Sequence, residues 1–135
     1  MKAIVCGGRN VGRARQTTTG VDAGGEIRRA SAERKFVADK MSELHAAQPF
    51  TRIVGGNEGG AERLATHWAT INGVPMSSVE RRNSRETTIQ RNMRMLKEHA
   101  PELVVAFGGG ESTEALLAEA QRTGVAVLRI DIPEF

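Results

Sequence analysis

The stretch IVGGNEGGAERLATHWATINGVP, residues 53–75, reads as strand, glycine-rich turn and helix in immediate succession. Thr51 to Val54 is a brief β-branched run, and Gly55 to Gly60 a turn. Ala61 to Ile71 carries Leu64, Ala65 and Trp68 at helical spacing, closed by Asn72-Gly73 with Pro75 beyond. The same unit recurs on both sides. KAIVC at 2–6 is a strand closed by Gly7-Gly8, and ELVVAF at 102–107 is apolar on both faces, as a central parallel strand covered by helices requires. Gly108-Gly109-Gly110 ends it. A helix over Thr113–Arg122 follows, then Gly124 as its C-cap and a closing strand at Val125–Ile130.

The remaining segments complete the alternation. Phe36, Val37, Met41 and Leu44 predict a helix over Ala30–Ala47, with Ser31 as its N-cap. Met76–Val79 is a short, polar edge strand, and Ile89, Met93 and Leu96 form the stripe of a helix over Arg85–His99 that Pro101 stops. Residues 10–30 show no apolar periodicity and are expected to form a long loop or lid. Strict alternation implies βαβ units. The expected fold is a single α/β domain over residues 1–135, a Rossmann-like three-layer sandwich with a five-stranded parallel sheet in the order 3-2-1-4-5.

Bulk properties narrow the function classes. A chain of 135 residues, 39% apolar and 26% charged, has room for one core, and it contains no apolar run long enough for a membrane span or a signal-peptide core. A cytoplasmic protein without a membrane partner is the expectation. The single cysteine, Cys6, forms no internal disulfide and ends an apolar run, so it reads as a core residue. His45, His67 and His99 have no ligand spacing, so neither a metal nor a cofactor is expected. The net charge of +3 favours an anionic partner, and fifteen of the nineteen basic residues are arginine, whose planar fork suits phosphate or carboxylate.

Parallel strands place their carboxyl ends on one edge, so the three glycine clusters face one side of the domain. In the order 3-2-1-4-5 the chain reverses direction between the first and fourth strands, and a ligand crevice is expected there. Glycine lets backbone amides and helix N-termini approach a phosphate closely. The candidate contacts are Gly7, Gly8 and Arg9 after the first strand, Gly55, Gly56, Asn57 and Gly60 after the second, and Gly108, Gly109, Gly110, Ser112 and Thr113 after the fourth. There is no GxxxxGK[ST] and no GxGxxG leading into a helix, so neither a Walker loop nor a dinucleotide fingerprint is present. Glu58, Glu62 and Glu111 lie on the same edge, and Glu62 and Glu111 are the candidate acid or base for any hydrolytic reaction.

The segments AIVCGGRN, IVGGNEGGAERLATHWATINGVP, QRNMRML and LVVAFGGGESTEALLAEAQRTGVAVLRI together resemble the YspA/cpYpsA-related branch of the SLOG superfamily. That superfamily includes the LOG phosphoribohydrolases and the DNA-processing protein DprA. The resemblance implies a Rossmann-like fold and a nucleotide-derived ligand, with sensing or sequestration in phage or defence contexts. It assigns ligand contacts to Gly7, Gly8 and Arg9, to Gly55, Gly56, Gly60, Ala61 and Glu62, to Arg91 and Asn92, and to Gly109, Gly110 and Thr113. Departures are Gly108 in place of proline, Ser112 in place of glycine, Glu62 where aspartate is common, and a second turn one residue longer.

The glutamate pair of the LOG enzymes falls on Ala115 and Leu116, while Glu114 lies a helical step of about 100° away. The resemblance thus favours a binding protein, dimeric or larger, in which Arg9 and Arg91 pair the ligand's charge. A nucleotide N-glycosidase or phosphoribohydrolase is the first alternative. Single-stranded nucleic-acid binding is the second, disfavoured by the lack of tyrosine and the presence of only one tryptophan and four phenylalanines.

Overall fold

Short apolar runs separated by helical stretches bury both of their faces only when the strands align and the helices cover them. The computed structural model, which describes residues 1–16 and 20–135, has this arrangement. In chain order the elements are β1 (Lys2–Gly7), α1 (Gly20–Ala47), β2 (Arg52–Gly55), α2 (Gly60–Ile71), β3 (Met76–Ser78), α3 (Thr88–His99), β4 (Leu103–Phe107), α4 (Glu111–Arg122) and β5 (Ala126–Ile130). All five strands are parallel, in the order β3-β2-β1-β4-β5 that the alternation predicts.

Side chains alternate across the sheet, as a period of two requires. Ala3, Val5, Ile53, Val105 and Phe107 face one layer, where α1 and α2 contribute Val37, Met41, Ala65 and Trp68. Ile4, Cys6, Val54, Val104 and Ala106 face the other, against Met95 and Leu96 of α3 and Leu116, Leu117 and Ala120 of α4. No helix among the described residues is long and apolar enough to cross a membrane.

The starts of α3 and α4 differ from expectation by a turn or less, and a capping box explains the first. α3 begins at Thr88 rather than Arg85, because Thr87 and Gln90 form a capping box: the Thr87 hydroxyl accepts from the Gln90 amide at 3.1 Å, and the Gln90 side chain accepts from the Thr87 amide at 2.9 Å. α4 begins at Glu111 rather than Thr113, with Gly110 as its N-cap.

The larger correction concerns residues 10–30. Residues 17–19 of that expected loop lie outside the described residues, but residues 20–30 are helical and form the first turns of α1, which is 28 residues long. At about 1.5 Å per residue this helix is far longer than a five-residue strand at about 3.3 Å per residue, so its turns before the buried Ala30 extend beyond the carboxyl edge of the sheet. An overhanging stretch has no core to face and needs no apolar stripe. It is held by charge: Arg29 pairs with Glu26 at 2.9 Å one turn before it and with Glu33 one turn after it.

The same charges fasten residues 10–16 against the overhang. The Gly12 amide donates to Glu33 at 2.9 Å, the Arg15 amide donates to Glu26 at 3.0 Å, and Arg34 donates to the Gly12 carbonyl at 2.8 Å. Hydrogen bonds from Arg29 and Arg15 pull the Glu26 carboxyl from 4.5 down to about 2. A carboxyl depressed on folding supports the fold above its unfolded value and withdraws that support as pH falls through the folded one. The latch is therefore expected to hold down to pH 4.5 and open towards pH 2. In an NMR pH titration the Arg15 amide resonance should follow a midpoint close to 2, and a midpoint near 4.5 would show that Glu26 is not latched.

Candidate ligand-binding site

The glycine turns meet on the carboxyl edge, and two of them touch. The Gly8 amide donates to the Phe107 carbonyl at 3.1 Å, joining the end of β1 to that of β4, and the Ala61 amide at the start of α2 donates to the Gly8 carbonyl at 3.1 Å. Gly60 has φ +57°, and a Cβ there would overlap the Gly8 carbonyl oxygen, so only glycine allows this approach. Gly108, Gly109 and Gly110 are exposed beside them.

Two clefts open around Arg9. One, of about 370 Å³, lies between Gly8 and Gly109 and is walled by Asn10, Arg15, Arg29 and Glu33. That volume lies within the range of small-molecule sites. The other is narrow and runs from Cys6 and Gly7 past Glu58 and Glu62 to Thr88, Asn92, Ser112 and Thr113. α4 enters this region with Gly110 as N-cap and no side-chain cap, so among the described residues no side chain caps its first-turn amides.

Arg91 occupies a different place from that of a ligand contact. It is fully buried and its donors are committed inside the fold: Nη2 to Glu62 Oε1 at 3.1 Å, Nη1 to the Val79 carbonyl at 3.1 Å, and Nε to Asn92 Oδ1 at 2.9 Å. Gly56 packs directly against it, and a Cβ at that position would fall within the guanidinium. Burial without neutralisation is costly for any cation, so Arg91 must have Glu62. Its role is to position the turn after β2 rather than to pair a ligand's charge.

Glu62 is committed in turn. Its second oxygen accepts the Glu58 amide at 3.0 Å, which fixes the loop over residues 57–59. Asn92 reaches the Ser112 carbonyl at 3.4 Å and ties α3 to the start of α4. Glu111 is exposed and lies outside the narrow cleft, so Glu62 and Glu111 are not gathered into one acid-base pair. Glu114 points to β5, where two Arg129 nitrogens donate to it and lower its pKa, and Leu116 is in the core.

Five contributors escape a reading of the sequence. Arg15, Arg29 and Glu33 wall the wider cleft because α1 overhangs it. Thr88 enters the narrow cleft as the first residue of α3, and the TTIQ capping box is the signal that could have placed it there. Arg81, two residues beyond Val79, stands 3.4 Å from Glu58. Arg94 on α3 is mostly buried and holds Glu86 at 2.8 Å, drawing that carboxyl down to about 2.

Cys6 lines the floor of the narrow cleft, but burial, reinforced by the Glu62 charge, pushes its thiol up to about 12. It is a poor nucleophile there. Among the described residues, no three His, Cys, Asp or Glu side chains group as a metal site would require. Comparison with protein-family models, curated proteins and solved structures finds no match.

Replacing Arg91 with alanine would leave Glu62 buried and unpaired, at an expected cost of about 3–5 kcal/mol in denaturant unfolding. The double change Arg91→Met with Glu62→Leu removes both charges and should cost less than that single change. A loss below about 1 kcal/mol for Arg91→Ala would show that the pair does not hold the turn.

Proposed function

We propose that the chain binds a phosphorylated nucleotide or nucleotide-derived small molecule at the carboxyl edge of its sheet, for sensing or sequestration. The observation that carries this is the α4 N-terminus. Gly110 provides no side-chain cap, and the helix opens beside exposed glycine backbone and next to a cleft that contains Arg9. Such an end concentrates amide donors and a partial positive charge, the combination that phosphate seeks. Its position between β1 and β4, where the strand order reverses, is where ligands of open α/β sheets bind. The likeness of the glycine turns to the SLOG pattern points to the same ligand class.

Binding is favoured over cleavage by the state of the carboxylates. Glu62 is engaged at both oxygens, Glu114 is paired with Arg129, and Leu116 is in the core. Hydrolysis of an N-glycosidic bond requires an acid or base aimed at the sugar, and these side chains are held elsewhere.

Gly110→Asp tests the reading, since aspartate would cap α4 and place a negative charge where the phosphate should sit. A cap of this kind is neutral or stabilising by a few tenths of a kcal/mol. Calorimetry with AMP and ADP-ribose should show affinity lost by about tenfold or more, the equivalent of one charge-assisted hydrogen bond, with the unfolding midpoint unchanged or raised. Unaltered affinity would overturn the assignment. Chromatography of the recovered probes should return intact nucleotide, and free base would make the protein a hydrolase.

A further inference from the structure

The Glu58 carboxylate is set among three guanidinium groups. Arg9 Nη2 donates to Glu58 Oε2 at 2.8 Å and to the Thr88 hydroxyl at 2.8 Å, and that hydroxyl lies 3.3 Å from the same carboxylate oxygen. Arg81 Nε stands 3.4 Å from Oε1 and Arg91 Nη1 4.0 Å from it. Yet Oε1 is shielded from solvent and accepts no hydrogen bond. A buried acceptor without a donor is a mismatch between the seat and its occupant.

We propose that Glu58 is a built-in surrogate for an anionic group of the ligand, and that a second phosphate displaces it from a seat made by Arg9, Arg81 and Thr88. The proposal rests on the reading of this edge as a phosphate site and extends it to a ligand with two phosphates. Three features support the exchange. A phosphate carries more charge and more acceptors than a carboxylate and suits guanidinium donors arriving from several directions. The side chains of Arg9 and Arg81 are 62% and 48% exposed, so an anion from solvent can reach them. The Glu58 backbone is pinned through its amide to Glu62, which leaves displacement to side-chain rotation alone.

Charge balance points the same way. Arg9, Arg81 and Arg91 face two carboxylates, Glu58 and Glu62, with Glu80 lining the adjoining cleft. Swinging Glu58 out leaves Arg91 paired with Glu62 and frees Arg9 and Arg81 for the incoming group. Arg9 lines both clefts, so this seat adjoins the one at the start of α4.

The experiment is a titration with inorganic pyrophosphate at constant ionic strength, read by the rise in unfolding midpoint. Glu58→Ala removes the internal competitor and should respond at about five- to tenfold lower pyrophosphate than the native protein, as expected if the closed arrangement dominates. Glu58→Gln keeps the shape, discards the charge and should gain in the same direction. Glu43→Ala, a change of equal charge near the last turn of α1 and so toward the amino edge of the sheet, should gain less than about twofold because solvent and salt screen a surface charge placed away from the seat.

The gain must persist when Glu58→Ala is combined with Gly110→Asp, which reads this seat without the other. Affinity that is unchanged or weaker in Glu58→Ala, including no response in any variant, overturns the surrogate role. A Glu58 effect that persists while Gly110→Asp alone has no effect upholds the seat described here and overturns only the phosphate assignment at α4.

Discussion

The buried pair between Arg91 and Glu62 is the constraint from which the edge of this sheet takes its shape. A cation with no exposed surface can persist only with a carboxylate against it and its remaining donors satisfied, and the fold provides Glu62, the Val79 carbonyl and Asn92 for that purpose. Those partners come from α2, from the residue following β3 and from α3 itself. The guanidinium also fills the space that a side chain at position 56 would need, so the turn after β2 must be glycine where it passes. One guanidinium thus ties α2, α3 and the end of β3 together.

From there the geometry runs outward to the candidate site. Glu62, held by Arg91, accepts the Glu58 amide, and Glu58 in turn receives Arg9 from the end of β1. Asn92 carries the same network to α4 through the Ser112 carbonyl. The wider cleft is walled on its far side by the overhanging turns of α1, where the Glu26–Arg29–Glu33 ladder stands in for a core. A parallel sheet brings three glycine turns to one edge, and the ionic network decides how they lie against each other.

The architecture was legible because its signals are local. Four β-branched runs and one short polar run alternating with helical stripes leave few arrangements, and the order of the sheet agrees with expectation strand by strand. The first turns of α1 were not legible, since hydrophobic periodicity reports which face meets a core and this stretch meets the charged segment 10–16 instead. Arg91 illustrates the limit at the site. A resemblance can mark that arginine as important, but only burial separates a ligand contact from a keystone. The Arg9–Glu58 contact joins residues 49 apart, and nothing in the spacing of either announces the other.

The phosphate proposed for this edge sits where α4 begins, between the ends of β1 and β4. Titration of uniformly ¹⁵N-labelled protein with AMP tests it most directly, because each amide reports its own surroundings. The expected result is that the largest amide shifts fall on Gly8, Arg9 and Gly109 through Thr113. Shifts confined to the groove at the opposite end of α3 and α4, around Leu96 and Val125, or none at saturating AMP, would contradict it.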